Sequence, residues 1–228
     1  MCAERTLAML QFGLPRDPSV PLRLLLLGAH CDDIEIGCGG TVLQLLAARP
    51  GVQVTWVVFS STPVREQEAR ASAALYLQDA APDSQVMVNR FRDGFFPHEG
   101  AGIKEFFEAL KKEVDPHLVF THCRDDRHQD HRTVSDLTWN TWRRHAILEY
   151  EIPKYDGDLG RPNVYSPLSR AVCERKARHI CEVFQSEGNK AWMTEDTFLA
   201  LARLRGIECA APEGYAEAFH GRKLVLGV

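Results

Sequence analysis

Short apolar runs alternate with helical segments along most of the chain, and this alternation constrains the fold more than any other feature. Leu24–Gly28 and Leu118–Thr121 are wholly apolar or nearly so, as strands buried on both faces of a parallel sheet are. Two further strands are predicted at Val52–Ser60 and Val86–Phe91. The pattern predicts a Rossmann-like three-layer α/β/α sandwich with a mostly parallel central sheet.

The segments between and after these strands carry helical patterns and helix-start signals. We predict helices at Gly37–Ala48, Arg65–Leu77, Ile103–Glu113, Thr133–Trp142, Leu168–Phe184 and Thr194–Leu204. The fifth is assigned Ser166 as its cap and Pro167 in its first turn, and the sixth Thr194 as its cap. Residues 1–21 are expected to be a peripheral lead-in, 153–167 a loop, and Lys223–Val228 a last strand. All 228 residues are expected to form one domain.

Charge and cysteine content exclude several classes of protein. The chain has 27 basic and 31 acidic residues, a net charge of −4, which disfavours binding to nucleic acid or to an anionic membrane. Its 7 cysteines are spread without a CxxC pair, which indicates reduced thiols rather than a disulfide framework. No apolar run approaches the ~20 residues of a membrane span. We expect a cytoplasmic protein; its oligomeric state cannot be read from the sequence.

Two polar clusters follow predicted strands. His30, Asp32 and Asp33 come directly after the first strand, and adjacent carboxylates are costly there unless a cation balances them. His128 and His131 follow the Leu118–Thr121 strand. Ligands of open α/β sheets sit at the carboxyl ends of strands, so both clusters are well placed. Together they offer histidine and carboxylate ligands for one catalytic zinc or ferrous ion.

Structural explanations remain open for several of these residues. Asp32 or Asp33 alone is also consistent with a helix cap, and Cys31 with a small buried apolar side chain. The stretch 124–127 is also consistent with a charged loop, and His122 with a buried histidine at a strand end. A dinucleotide site is rejected, because GAHCDD lacks GxGxxG and puts two acids where a pyrophosphate would sit.

The two clusters resemble the two signatures of the PIG-L/LmbE family, AH-P-DD and H-x-D-H. The resemblance rests on HCDD at 30–33 and HQDH at 128–131, and covers roughly residues 23–135. It implies a metal-dependent de-N-acetylase of N-acetylglucosamine-type compounds, in which a variable C-terminal part, 145–228, covers the site. Cys31 replaces the proline of the family motif. A proline would fix the φ angle before the two aspartates, whereas a cysteine does not.

The resemblance also assigns roles to individual residues. Three positions match the family's metal ligands: His30, Asp33 and His131. Zinc is the expected ion, with ferrous iron as the alternative. Asp32 matches the general base that activates water, and His128 the group that stabilises the oxyanion as an imidazolium. Asp130 is expected to orient His128.

The substrate is expected to be a small amino sugar or sugar conjugate, with a sugar nucleotide as one candidate. The family resemblance places two side chains against the sugar, Arg65 and Asp93. Arg65 belongs to an R-x-x-E pattern that Glu68 completes. Tyr155 and Tyr165 are candidates for stacking on its ring, and Lys154 and Arg161 for an anionic group. Structural explanations also remain open for these residues. Arg65 is also consistent with a helix start, Asp93 with an Asp–Gly turn, and the stretch 153–167 with a plain surface loop. The alternative functions are an amidase for a non-sugar or thiol-sugar amide and a non-catalytic metal-bearing sugar-binding protein.

Overall fold

The computed structural model of the chain describes Gly13 and residues 20–225. These residues form seven strands: β1 (Arg23–Gly28), β2 (Gln53–Val58), β3 (Gln85–Val88), β4 (Leu118–His122), β5 (Ala146–Tyr150), β6 (Val164–Leu168) and β7 (Tyr215–Gly221). They also form six α-helices: α1 (Asp33–Ala48), α2 (Pro63–Tyr76), α3 (Gly100–Glu113), α4 (Gln129–Thr141), α5 (Arg170–Val183) and α6 (Glu195–Glu208). Short 3₁₀ turns occur at Leu77–Asp79, Phe96–His98 and Gln185–Glu187.

One sheet holds all of these strands in the order β3-β2-β1-β4-β5-β7-β6. The five strands from β3 to β5 are parallel, whereas β7 runs antiparallel to both β5 and β6. The sheet order reverses between β1 and β4, so a crevice opens at the carboxyl ends of these two strands.

β1 shows why the sheet is covered on both faces. Leu24 and Leu26 pack into one apolar cluster, together with side chains of α1, α2 and α5. Leu25 and Leu27 pack into a second cluster, with side chains of α3 and α4. Because successive side chains of a strand point to opposite faces, an all-apolar strand needs a helical layer on each side. The predicted three-layer α/β/α sandwich is confirmed.

α1 begins at Asp33, ahead of the predicted start at Gly37. Gly37 and Gly39 therefore lie inside the helix. A Cβ atom at Gly37 would collide with the Tyr150 ring, and one at Gly39 would lie 2.8 Å from the Tyr76 hydroxyl oxygen. These glycines therefore allow α1 to pack closely against its neighbours.

The C-terminal part departs further from the predictions. β6 occupies Val164–Leu168 within the predicted loop 153–167, so Ser166 and Pro167 lie in a strand and Ser169 caps α5. Pro167 fits there because β6 is an edge strand. Thr194 caps α6 as predicted, since its side chain accepts a hydrogen bond from the Thr197 backbone N–H.

Two predictions concern the ends of the chain. The strand predicted at Lys223–Val228 is wrong for residues 223–225, which form no strand, and 226–228 lie outside the described residues. The last strand among the described residues is β7, at Tyr215–Gly221. The predicted lead-in, residues 1–21, also lies outside the description apart from Gly13 and residues 20–21. Among the described helices, none combines the length and apolar character needed to cross a bilayer.

Candidate active site

The predicted site residues converge on one cleft at the carboxyl ends of β1 and β4. The cleft has a volume of about 220 Å³. Its lining includes the following side chains of the predicted site: His30, Asp32, Asp33, Arg65, Asp93, His128, His131 and Tyr155. The two sequence clusters, far apart in the chain, therefore form one site.

Three side chains bring donor atoms together at the floor of the cleft. His30 Nδ1 lies 3.1 Å from His131 Nε2 and 3.4 Å from Asp33 Oδ2. His131 Nε2 lies 3.5 Å from Asp33 Oδ1. The Asp33 carboxylate is fixed near His30 because it also accepts a hydrogen bond of 2.6 Å from the His30 backbone N–H. When several ligand atoms each lie about 2.0–2.2 Å from one metal ion, their distances from one another are like those between these nitrogen and oxygen atoms.

The other nitrogen of each histidine faces carboxylates. His131 Nδ1 lies 2.9 Å from Asp126 Oδ2. His30 Nε2 lies 3.1 Å from Asp93 Oδ1 and 3.4 Å from Asp130 Oδ2. An ionised carboxylate only accepts hydrogen bonds, so His131 Nδ1 carries a proton that it donates to Asp126, and the two carboxylates near His30 Nε2 favour a proton there as well. The near nitrogens, His30 Nδ1 and His131 Nε2, then direct lone pairs at each other.

Facing lone pairs beside a carboxylate favour a positive charge between them. A proton on His30 is one source: burial opposes it, but the Asp33 carboxylate and hydrogen bonds to Asp130 and Asp93 raise the pKa of His30 well above its usual value. A divalent cation is the other source, and carboxylate-oriented histidines are its typical ligands. Burial and the neighbouring His122 lower the pKa of His131 to about 3, which leaves this ring free to act as a ligand.

Overlapping groups of side chains in this region have the spacing that one ion requires. They are His30 with His128 and His131, Asp33 with His122 and His131, and His30 with Asp93 and Asp130. Among the predicted ligands, His30 and His131 belong to the first group and Asp33 and His131 to the second. The residues present therefore fit a single divalent metal, and the floor of the cleft is where they would hold it.

Asp32 occupies the N-cap position of α1 but its side chain makes no capping hydrogen bond. Instead its Oδ1 lies 3.0 Å from the NH2 nitrogen of Arg65, in the first turn of α2. Burial raises the pKa of Asp32, although the Arg65 charge opposes the shift. A carboxylate in this environment accepts a proton more readily than an exposed one, as a general base must.

His128 is the N-cap residue of α4, and its Nδ1 accepts a hydrogen bond of 3.3 Å from the Asp130 backbone N–H. The neutral ring then carries its proton on Nε2. Burial and the charge of His30 lower the pKa of His128, although Asp130 opposes this. The hydrogen bond at Nδ1 is that of a neutral His128 that donates from Nε2, and the imidazolium role of this residue stays a prediction.

The Asp130 side chain contacts groups other than its predicted partner, His128. Its carboxylate accepts hydrogen bonds from the backbone N–H groups of Gly94 (2.6 Å) and Phe96 (3.1 Å), and it faces His30 Nε2. The side chain of Asp130 therefore lies against His30, and its backbone N–H contacts His128. Gly94 has a φ of 78°, so the Asp93–Gly94 pair does form a turn, and the turn places Asp93 beside His30.

The outer wall of the cleft comes from the C-terminal part of the chain. Tyr155 is 74% exposed, and its hydroxyl oxygen accepts a hydrogen bond of 3.3 Å from the Ala191 backbone N–H. Lys190 and Trp192 also line the cleft. Lys154 lines it too, but its Nζ is paired with Asp126 (2.9 Å) and with Asp158. Tyr165 and Arg161 do not line the described cleft; Tyr165 lies in β6.

Three of the structural explanations can be compared with the structure directly. His122 is fully buried at the end of β4, where its Nε2 accepts a hydrogen bond of 2.9 Å from the Ala29 backbone N–H, as a strand-end histidine would. Cys31 is buried with its Sγ 3.4 Å from the Ser60 carbonyl oxygen, and burial raises its pKa, which indicates packing. The stretch 124–127 is more than a charged loop, because Asp126 is 4% exposed and binds His131.

Sequence reasoning missed Asp126 and Glu187. Asp126 Oδ1 also accepts a hydrogen bond of 2.8 Å from the His128 backbone N–H, so one carboxylate fixes both histidines of the second cluster. The position of Asp126 close to the HQDH motif is the sequence feature that could have indicated its role. Glu187 lies 3.5 Å from Arg65 NH1 and is distant in sequence from either cluster, so nothing local indicated it.

Solved structures with the same fold support the architecture. The conserved protein TT1542 from Thermus thermophilus aligns with a TM-score of 0.69 and 22% identity over 91% of this chain and 97% of that one. The N,N'-diacetylchitobiose deacetylase from Pyrococcus horikoshii aligns with a TM-score of 0.66 and 21% identity, over 90% and 85%. The 4-carboxy-2-hydroxymuconate hydratase GalB from Pseudomonas putida KT2440 aligns with a TM-score of 0.67 and 16% identity, over 91% and 98%.

At these identities the structural likenesses show the fold, and the fold is shared by a deacetylase and a hydratase. The sequence match is more specific. Residues 25–142, just over half of the chain, match the PIG-L family, described as GlcNAc-PI de-N-acetylase. This range spans β1 to α4 and includes both polar clusters. The chain belongs to the PIG-L family.

Proposed function

We propose that this protein is a divalent-metal-dependent amidohydrolase that removes the acetyl group from an N-acetylated amino sugar or its conjugate. The observation that carries the proposal is the pair of facing nitrogens of His30 and His131, with Asp33 near both and Asp32 lining the same cleft. Membership of the PIG-L family supports the same reaction. The deacetylase and the hydratase among the structural neighbours show that the site residues, more than the fold, must decide.

A divalent metal at His30, Asp33 and His131 would supply Lewis acidity, which polarises an amide carbonyl and acidifies water. Asp32 lies next to these ligands and accepts the proton of the attacking water. Its Oδ1 is held by Arg65, which fixes the carboxylate in the cleft. Its Oδ2 has no partner in the part of the chain that the structure describes, and this is the oxygen we assign to the water.

His128, which lines the same cleft as Asp32, serves as the hydrogen-bond donor. Because Nδ1 accepts the Asp130 backbone N–H, the Nε2–H of the neutral ring donates to the oxygen on which negative charge develops. A preorganised donor of this kind stabilises the tetrahedral transition state more than the planar amide. Either His128 or the protonated Asp32 then delivers a proton to the leaving amine.

The cleft favours a substrate whose reacting end is about one sugar ring. Its volume of about 220 Å³ lies below the range of about 300–1,000 Å³ for pockets that enclose drug-sized ligands. Asp93, with a side chain 63% exposed, can accept hydrogen bonds from sugar hydroxyls while it holds His30. Tyr155 presents an exposed aromatic face at the rim. Any larger group, such as a nucleotide, would extend beyond the cleft.

The test is acetate release from a panel of N-acetylated amino sugars, their phosphates, nucleotides and thiol conjugates. Purified protein is stripped of metal with a chelator and reloaded with zinc or ferrous iron, and bound metal is counted in parallel. Acetate and free amine in equal amounts, dependent on added metal, support the proposal. Absence of acetate release from metal-loaded protein across the panel contradicts a sugar substrate, and loading below one ion per chain contradicts the ligand assignment.

A further inference from the structure

The guanidinium of Arg65 is shared between two carboxylates. Its NH2 nitrogen lies 3.0 Å from Asp32 Oδ1, and its NH1 nitrogen lies 3.5 Å from Glu187 Oε1. The side chains of Arg65, Asp32 and Glu187 are 14%, 5% and 9% exposed, respectively, so water screens these ion pairs only weakly. Glu187 therefore reaches the proposed general base through one intervening arginine.

This division changes what Asp32 can do. An arginine beside one carboxylate tends to close on it with two parallel hydrogen bonds, one to each oxygen. Here Glu187 attracts the second arm of Arg65, and Asp32 is contacted through Oδ1 alone. Asp32 Oδ2 therefore stays available at the cleft. Without Glu187, the arginine would be free to close on both oxygens of Asp32.

The segment that carries Glu187 is anchored to α2 at two points. Glu187 is the last residue of the 3₁₀ turn Gln185–Glu187, which connects α5 to the segment before α6. The Glu68 carboxylate accepts hydrogen bonds from the Ser186 backbone N–H (2.9 Å) and Oγ (2.6 Å). Arg65, also on α2, contacts Glu187, and Lys190 pairs with the second Glu187 carboxylate oxygen. Glu187 is thus held in place from both sides.

We propose that Glu187 is a positioning residue, which draws one arm of Arg65 away from Asp32 and so keeps Asp32 Oδ2 open to the attacking water. The kinetic part of this inference rests on the proposed deacetylase function. The structural part does not, since it concerns only where Arg65 lies when Glu187 is changed.

Glu187→Gln tests the inference, because it keeps the size of the side chain and removes its charge. We expect kcat to fall about 10–100-fold, as expected of a misplaced reacting group, while KM stays within about twofold. A crystal structure of the metal-loaded variant should show the Arg65 guanidinium contacting both oxygens of Asp32. Glu187→Ala offers the same readouts should the glutamine variant fail to fold.

Glu68→Gln is the matched control. It weakens the other anchor of the same turn but leaves the charge that faces Arg65, and we expect kcat close to that of the wild type. An equal loss of kcat in Glu68→Gln and Glu187→Gln would mean that anchoring of the turn matters, and would overturn the inference. So would an Arg65 that keeps its wild-type position in the Glu187→Gln crystal structure. A wild type inactive on every substrate would instead refute the proposed function, and the crystal structures alone would then decide the role of Glu187.

Discussion

The two walls of the cleft differ in how firmly their side chains are held. On the wall formed by β1 and β4, His30, Asp33 and His131 are at most 8% exposed, and each contacts another side chain of the site. On the outer wall, Tyr155 is 74% exposed and the Lys190 side chain 41%. The inner wall belongs to the part of the chain that matches the PIG-L family, and the outer wall lies beyond it.

This difference indicates a division of work. Chemistry that depends on sub-ångström placement needs side chains locked by packing and by a surrounding shell of hydrogen bonds. Recognition of a substrate tolerates looser contacts, because each contributes a modest share of the binding energy. We therefore expect changes on the inner wall to alter metal binding and kcat, and changes on the outer wall to alter KM.

The largest effect is expected from His131→Ala. The substitution removes a donor atom from the group that faces His30 and Asp33, so both bound metal and acetate release should fall to the level of the blank. Metal counting and an acetate assay on the same preparation measure both. His145→Ala is the control, since this histidine pairs with the exposed Asp115 away from the cleft. Full metal loading in His131→Ala would refute its role as a ligand.

Asp32→Ala should separate chemistry from metal binding on the same wall. Loss of a general base lowers kcat by about 10²–10⁴-fold, and metal content should stay at the wild-type level. The measurement is kcat at saturating substrate, together with metal counting. Activity near that of the wild type would rule out the role of Asp32 as base. Loss of the metal would instead move Asp32 into the ligand set.

Asp126→Asn tests the shell around the ligands. The amide can still contact His131 Nδ1 but no longer offers a charged acceptor, so we expect metal affinity to weaken about 10–100-fold. Competition with a chromogenic chelator measures the affinity. Asp125→Asn is the matched control, because the Asp125 side chain is 72% exposed and pairs with Arg222 instead. Equal metal affinities in the two variants would show that Asp126 does not tune the ligand.

Sequence reasoning was most informative for the inner wall, for a physical reason. The strands there are apolar on both faces, and the functional side chains follow within a few residues of their ends, so pattern and chemistry coincide locally. What it missed, even here, were partners fixed by tertiary contact. Asp126 looks like one charge in a charged run, and only the fold brings its carboxylate to His131.

Buried charged residues explain why the strands β5 and β7 were not predicted from the sequence. β5 contains Glu149, fully buried and bound by Arg222 (2.8 Å), and β7 contains Glu217, bound by Lys176 (2.6 Å) and by backbone N–H groups of α1. A glutamate in a short run looks like a surface position when its partner lies far away in sequence. Local patterns therefore predicted neither strand, and the turn that carries Glu187 escaped prediction for the same reason.

The smallest effect is expected from Tyr155→Ala on the outer wall. If the ring stacks on the substrate, losing about 0.5–1.5 kcal/mol of aromatic contact raises KM about 2–10-fold and leaves kcat unchanged. Steady-state kinetics on the best substrate of the panel give both constants, with Tyr165→Ala, outside the cleft lining, as the control. A fall in kcat would contradict the division between the walls. The Tyr155 hydroxyl accepts a hydrogen bond from the Ala191 backbone N–H, and the preceding residue, Lys190, pairs with Glu187. A fall in kcat would therefore point to an effect carried through this loop to Glu187 and its partner Arg65.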